Sequence, residues 1–345
     1  MRARRKLAPI LVAVAVAAIA TGCAASGSGG SSGSGGSGTY TIKFTSTQQA
    51  TTPNGELQYA FAKLVQQKSH GRIQVKVYPN SILGSEDELI PQVISGATQM
   101  TELFAPQMAQ YVSGFNFFQV PMIFTSQAAV LKGLQSPAVQ ALNAQFLQKT
   151  GVKVLGWGSL GFVQILAKQP VANLSDFSGL KIRIAPGSVP LEKSLPLLGA
   201  QAVPLAESDD FTSEQSGLVN GIVNPSYTFI AGKDYENFRD LTQLNFQYNP
   251  NVILINAKFF NSLPADLQKI VQSAADQTTA QEVTAVNKAS ATAATQLEDQ
   301  GVKVSTLSSA GRQAVVNAIK PYLKSAVSTY GAGLFQAFGV DTSGL

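Results

Sequence analysis

Between Pro264 and Gly301 the chain carries neither glycine nor proline, and this gap limits its fold more than any other feature. The 36 residues from Ala265 to Gln300 lack both helix breakers, and Ser262-Leu-Pro-Ala-Asp266 ahead of them puts a proline in a first helical turn. The pattern predicts a helix over 263–300, about 54 Å long if helical throughout. A rod of that length outruns a single small lobe, so it must run along or across two.

The rest of the body alternates strand and helix. Tyr40-Thr-Ile-Lys-Phe44 and Arg72-Ile-Gln-Val-Lys-Val-Tyr78 alternate at period two and read as half-buried strands. Thr52-Pro53 opens a helical spacing of Leu57, Phe61, Leu64 and Val65, which Gly71 ends. Asn80 to Gly84 reads as a turn and Glu86 to Ser95 as a helix closed by Gly96. Short apolar runs at 101–104, 152–157, 164–168, 181–185 and 251–256 are further strand candidates. Helices are expected at 127–149, 190–198, 208–217, 231–238 and 308–338. Interleaved strands and helices predict an α/β fold with mostly parallel sheets.

The amino terminus sets the compartment. Arg2, Arg4, Arg5 and Lys6 precede an apolar run from Leu7 to Ala20 and then Thr21-Gly22-Cys23. This is a secretory signal, too short for a stable membrane span. Small residues directly before Cys23 resemble the bacterial lipobox, whose cysteine is freed and acylated, although Ala20 stands where leucine is commonest. Cys23 is the only cysteine, so no intramolecular disulfide competes for it. Residues 24–38 are almost pure Gly/Ser, a flexible tether that is useful only behind an anchor. The reading is therefore a signal at 1–23 ending in a lipidated Cys23, then a tether, then a body outside the cytoplasm. The alternative is an ordinary signal peptide with an incidental cysteine.

Four of the 25 Lys and Arg residues lie within the first six positions, so the mature chain carries 21 against 20 acidic residues. That near-neutral balance leaves no electrostatic footprint for nucleic acid. Catalytic and metal constellations are missing as well. The single histidine, His70, sits in the turn Lys68-Ser-His-Gly-Arg72. With His70 in a turn and no second histidine or free thiol beside it, the Ser-His-Asp, Cys-His and zinc constellations are missing. No phosphate-binding glycine loop follows a strand, and no cofactor is expected. The carboxylate pairs Asp209/Asp210 and Glu86/Glu88 could serve a glycosidase, but Glu86 and Glu88 suit a helix start, where acids complement the dipole.

A set of motifs then falls into a known order: Gly179-Leu-Lys-Ile-Arg183, Leu198-Gly-Ala200, Val203-Pro204, Gly217-Leu-Val-Asn-Gly-Ile-Val-Asn-Pro225 and Asn261-Ser-Leu-Pro264. Gly71-Arg-Ile with Tyr78-Pro79, Leu83-Gly84, Gly96 and Val120-Pro-Met-Ile-Phe124 precede them, and Pro170, Leu174, Asp176 and Phe177 lead in. Over residues 40 to 325 the chain resembles the substrate-binding proteins of tripartite ATP-independent periplasmic (TRAP) transporters. The resemblance implies two α/β lobes joined by crossing strands and a long helix, closing over a ligand. Lobe I would take 39–161 plus about 251–290, and lobe II 162–250 plus about 291–345.

It also implies site residues. Arg183 matches the arginine that grips the ligand carboxylate, a planar fork suited to bidentate contact. An ordinary ion pair with a neighbouring acid is the other reading of it. Asn224 matches an asparagine whose amide can bond the ligand, or is simply the Asn of an Asn-Pro turn. Many members carry a second arginine where this chain has Val163. Glu207 stands where an aromatic usually packs on the ligand. Leu103 and Phe104 fall near the position of a polar acid in sialic-acid-binding members. Trp157 and Phe162 either line the pocket or belong to the core, and Tyr248 and Asn251 carry the same two readings.

The expected ligand is therefore less polar than a sialic acid or dicarboxylate, with one carboxylate on Arg183 and an amine or hydroxyls if Glu207 faces the cleft. The implied function is capture of a small organic solute and delivery to a TRAP membrane permease, without catalysis. The competing readings are an ABC-type binding lipoprotein, an anchored carboxylate-dependent hydrolase and a ligand sensor.

Overall fold

In the computed structural model, which describes residues 38–345, the first alternating segment forms β1 (Tyr40–Ser46) with Ile42 and Phe44 turned into the core. Cys23 and residues 24–37 of the Gly/Ser run lie outside the described residues. Helix α1 (Pro53–Lys68) begins where the Thr52 hydroxyl accepts a hydrogen bond from the Gly55 N–H at 3.2 Å, with Pro53 already at helical φ. Leu57, Phe61 and Val65 recur every fourth residue and are buried. After β2 (Ile73–Tyr78), helix α2 (Glu86–Ser95) is capped by the Glu88 carboxylate, which accepts from the Ser85 N–H at 2.8 Å. It ends at Gly96, whose φ of 79° is left-handed. His70 lies in the exposed turn between α1 and β2.

Strand β3 (Met100–Phe104) leads through two 3-10 stretches to α3 (Gln127–Leu134) and α4 (Pro137–Thr150). The single helix expected at 127–149 is thus two. Pro137 cannot donate to a preceding turn, and the Ser136 side chain caps a new helix at Val139. The runs at 152–157 and 164–168 are one long strand, β4 (Val152–Ala167). Next come β5 (Lys181–Ile184), α5 (Val189–Ser194), β6 (Gln201–Pro204), α6 (Asp210–Ser216), β7 (Gly221–Pro225) and α7 (Ser226–Ala231). The helix expected at 231–238 lies earlier, as α7, because Lys233 takes φ 60° and stops it. The run at 251–256 is only the end of β8 (Asp240–Asn256), which is followed by α8 (Ala257–Ser262). Helix α9 (Ala265–Asp299) follows with 35 residues, then β9 (Lys303–Thr306), α10 (Ser309–Tyr330) and α11 (Ala332–Ala337). Gly331, at φ 84° and ψ 134°, separates the last two where one helix was expected.

The nine strands form one mixed sheet in the order β2-β1-β3-β8-β4-β7-β5-β6, with β9 on β8. The β1–β2, β1–β3, β5–β6, β5–β7 and β8–β9 pairs are parallel, whereas β3–β8, β4–β8 and β4–β7 are antiparallel. Strands β4 and β8 cross the middle of the sheet together, with irregularities at Val154/Gly156, Ser159/Gly161 and Val163/Ile165.

Helix α9 lies along this crossing. Its Leu267, Val271, Ala274 and Ala275 pack with Ile42, Phe44 and Phe61. Val286 and Ala293 pack on Tyr227, and Leu297 joins Leu166, Phe229 and Phe238. One helix therefore closes three apolar clusters, and its burial stripe follows the three-and-four spacing of a helix face.

Candidate ligand-binding cleft

Parallel strands end their hydrogen bonding at one edge, and side chains beyond that edge converge. Here Thr47 and Gln48 follow β1, Phe104 ends β3, Arg183 and Ala185 come from the end of β5, and Asn224 and Pro225 end β7. Leu160 of β4 with Gln247 and Asn249 of β8 form the floor. Glu86, the first residue of α2, and Glu207, just past β6, close the sides. The cleft encloses about 660 Å³, counting the space that opens to solvent. Arg183, Asn224, Glu207 and Phe104 thus meet in one cavity, although more than 120 residues separate Phe104 from Pro225.

Among the described residues, Arg183 is the only Lys, Arg or His on the cavity wall, and it is 5% exposed. Its Nε lies 2.7 Å from Asp210 Oδ1 and its Nη2 lies 3.9 Å from Glu86 Oε1. Neither contact is aligned as a hydrogen bond, so Nε, Nη2 and Asp210 Oδ1 all lack a bonded partner. Arg183 is thus ion-paired with its acidic neighbours, lines the cavity, and keeps donors that no acceptor has taken.

The acids around it are poorly compensated. Burial, only partly offset by Arg183, pushes Glu86 up to about 7, and it does the same for Asp210. Glu207 is half-buried on the same wall, and burial, partly offset by Arg183, raises its carboxyl too. Behind them Glu214 is raised to about 7 and Asp234 to about 9, again chiefly by burial. Among the described residues, no group of three His, Cys, Asp or Glu side chains is placed to hold a metal ion. The wall also carries Gln107, Gln119, Gln247 and Asn249, so the cleft is more polar than the sequence pattern predicts. Gln119 donates to Ser188 Oγ at 2.8 Å, while its Oε1 and Asn249 Oδ1 are buried without partners.

The other expected site residues lie elsewhere. Leu103 and Val163 are fully packed in the large apolar core, since alternation along β3 and β4 turns them from the cavity. Trp157 packs against Phe115 and Phe118 and lines a separate surface groove beside α9. Phe162 stands edge-on to Tyr248 at 5.0 Å, and the Tyr248 hydroxyl is bonded to Ser159 Oγ at 2.6 Å.

Asn251 serves a buried polar network at the crossing of β4, β8 and α9, outside the cavity. Its Nδ2 donates to Glu102 and, at 2.7 Å, to Glu282 Oε1. Asn54 also donates to Glu282, and the Tyr227 hydroxyl donates to Asn54 Oδ1 at 2.8 Å. Glu102 is 0% and Glu282 2% exposed. Burial and the neighbouring Glu282 carboxyl raise Glu102 well above the carboxylate range, and burial raises Glu282 to about 8. The sequence offered Glu86 and Asp210 only as members of possible catalytic carboxylate pairs, with Glu86 also suiting a helix start, and it did not single out Glu102 or Glu282.

Residues 44–329 match the family described as bacterial extracellular solute-binding protein, family 7. The C4-dicarboxylate-binding periplasmic protein DctP of Rhodobacter capsulatus is 31% identical over 242 residues, 69% of this chain and 71% of that protein. The sugar acid binding protein DctPAm of Advenella mimigardefordensis, solved with galactonate, superposes with a TM-score of 0.84 at 27% identity, covering 88% of this chain and 98% of that one. A TRAP periplasmic solute-binding protein of Shewanella oneidensis with bound succinate gives a TM-score of 0.83 at 27% identity over 87% of this chain and 98% of the other.

Proposed function

The chain belongs to family 7 of the bacterial extracellular solute-binding proteins, the two-lobed binding proteins of TRAP transporters, and on that premise we propose that it captures a small organic solute bearing one carboxylate and delivers it to a TRAP membrane permease. It is a binding protein, not an enzyme. The observation that carries the ligand reading is Arg183, the one cationic side chain on the cavity wall, whose Nη2 has no acceptor. Galactonate, succinate and the acetolactate held by a Ralstonia eutropha relative of 25% identity all carry a carboxylate. A second carboxylate would meet Glu86 and Glu207 with no further cation on the wall to hold it, which favours a monocarboxylate.

In this reading lobe I comprises 39–161 plus about 251–290 and supplies Gln48 and Glu86. Lobe II, 162–250 plus about 291–345, supplies Arg183 and Asn224. A solute that touches both sets binds the closed form better than the open one and shifts the hinge toward closure. Lipidation at Cys23 and the Gly/Ser tether would keep this trap at the outer face of the membrane, near its permease. Cys23→Ser is then expected to move the protein from the membrane fraction to the soluble one, and retention in the membrane pellet would remove the anchor from this account.

Thermal-shift screening against small organic acids, followed by calorimetry, tests the ligand reading. Arg183→Ala is expected to weaken binding by about 100-fold, the scale of two charge-assisted hydrogen bonds. Arg183→Lys keeps the charge but loses the fork and is expected to fall between. Tight binding of a neutral compound that ignores both substitutions would sink the proposal.

A further inference from the structure

The cavity wall holds one positive side chain against two acidic ones, Glu86 and Glu207, with Asp210 behind them, and a carboxylate ligand alone would deepen that excess. Arg183 Nε is already beside Asp210, and its Nη2 is buried without an acceptor. Glu86 sits 3.9 Å from that nitrogen, and Glu207 lines the same cavity. Glu86 and Asp210 are more than nine-tenths buried, so water does little to offset their charge. The Oε1 of Gln119 and the Oδ1 of Asn249 are likewise buried on the cavity wall, with no donor reaching them. Amide orientation is set by the surrounding bonds, and Gln119 spends its NH2 on Ser188, which leaves its oxygen facing inward. Beyond Arg183 the wall carries no further positive charge, while carboxyl and amide oxygens are both in place as acceptors.

We propose that the captured solute is a zwitterion, carrying a protonated primary or secondary amine that is held between Glu86 and Glu207 while its carboxylate meets Arg183. This rests on the carboxylate reading above and names the second half of the ligand. An ammonium group supplies two or three N–H donors in a compact shape, enough for a carboxylate and one of the orphaned amide oxygens together. A hydroxyl brings one donor and no charge, so it would leave the acid pair uncompensated. A quaternary ammonium brings charge but no donor for Gln119 or Asn249. Burial raises the affinity of Glu86 and Glu207 for protons in the empty cleft, and an arriving ammonium takes the place of that proton.

The test is calorimetry of the full mature protein with isosteric pairs: alanine against lactate, serine against glycerate, and 4-aminobutyrate against 4-hydroxybutyrate, with the remaining common amino acids and their hydroxy analogues as a wider panel. At least one amino compound is expected to bind roughly tenfold or more tightly than its hydroxy partner, the scale of one charge-assisted hydrogen bond. Glu207→Gln and Glu86→Gln, each checked for unchanged circular dichroism, are expected to erase that preference by weakening the amino compound more than its hydroxy partner. Arg183→Lys should weaken both members of a pair alike. If hydroxy acids or dicarboxylates bind and no amino compound does, the zwitterion is overturned and the carboxylate reading stands. Binding only of uncharged solutes overturns both. If an amino compound binds and keeps its preference in both glutamine variants, the acid pair is not its seat and the proposal fails.

Discussion

Between pH 5 and pH 8 the ligand-free protein is expected to lose thermal stability steadily, with a fall in Tm on the order of 10 °C. The cause is an unusual stock of buried acids. Glu86, Asp210 and Glu214 are pushed up to about 7, Glu282 to about 8 and Asp234 to about 9, in each case mainly by burial, and Glu102 is raised with them. In the unfolded chain these carboxyls lose their protons near the usual range of about 4 to 4.5. From there up to their raised values the folded state holds more protons than the unfolded state. Stability is therefore fully present below the unfolded values and drains away as pH rises through the folded ones. Each net excess proton costs about 1.4 kcal/mol per pH unit, so even one gives about 4 kcal/mol over this range. The acids shifted downward, Glu88, Asp266 and Asp341, are exposed, act at lower pH and are screened by solvent.

Calorimetric scans at pH 5, 6, 7 and 8 check this directly, and a Tm that is flat or rises with pH would rule it out. The interior pair can be separated from the cleft. Glu282→Gln keeps the shape of the protonated acid and an oxygen for Asn54 and Asn251, so it should be tolerated at pH 5 and flatten the slope. Glu86→Gln should flatten it too, but only in the absence of a ligand that occupies the cleft.

The long helix was legible because its signal is local: an uninterrupted run and a proline at its start specify α9 without reference to anything distant. The cap of α2 was legible for the same reason. Strands β4 and β8 were seen only in fragments, because their irregularities near Gly156 and Gly161 break the alternation that reveals a strand. In the site, Arg183, Asn224, Glu207 and Phe104 could be named because each sits in or near a motif with a fixed place in the fold. Tyr248 and Asn251 could not be assigned, since polar residues in an apolar strand gain meaning only from partners. Those partners are Ser159, Glu102 and Glu282, and Glu102 lies 149 residues away from Asn251. Glu86 fits the helix dipole so well that nothing in its own segment points to the cleft; only the position of Arg183, 97 residues on in sequence, does so.

Gly55→Ala is expected to cost about 3 kcal/mol or more and to weaken ligand binding as well. Gly55 lies in the first turn of α1, where alanine is ordinarily the better helix former. Its φ is not left-handed, so the restriction is space alone. A Cβ there would run into the Gln49 carbonyl and stand 2.7 Å from the Ala50 Cα, both backbone atoms that no rotamer change can clear. The Gln49 carbonyl is also pinned, accepting from the Thr52 N–H at 3.0 Å and from the Thr52 hydroxyl at 2.8 Å. Moving it disturbs the residue that caps α1. It also drags Gln48, one position before, off the cavity wall, and strains Asn54, which bonds Glu282 in the buried network. One methyl group thus reaches the helix cap, the cleft and the interior acid pair through a single loop. Gly333→Ala is the control: it lies in helix α11 with nothing within 4 Å of the new Cβ, so it should be neutral or slightly stabilising. Thermal unfolding of the two variants beside the parent decides the matter. A Gly55→Ala protein as stable as the Gly333→Ala protein would mean that the 48–55 loop yields freely and does not brace the cleft.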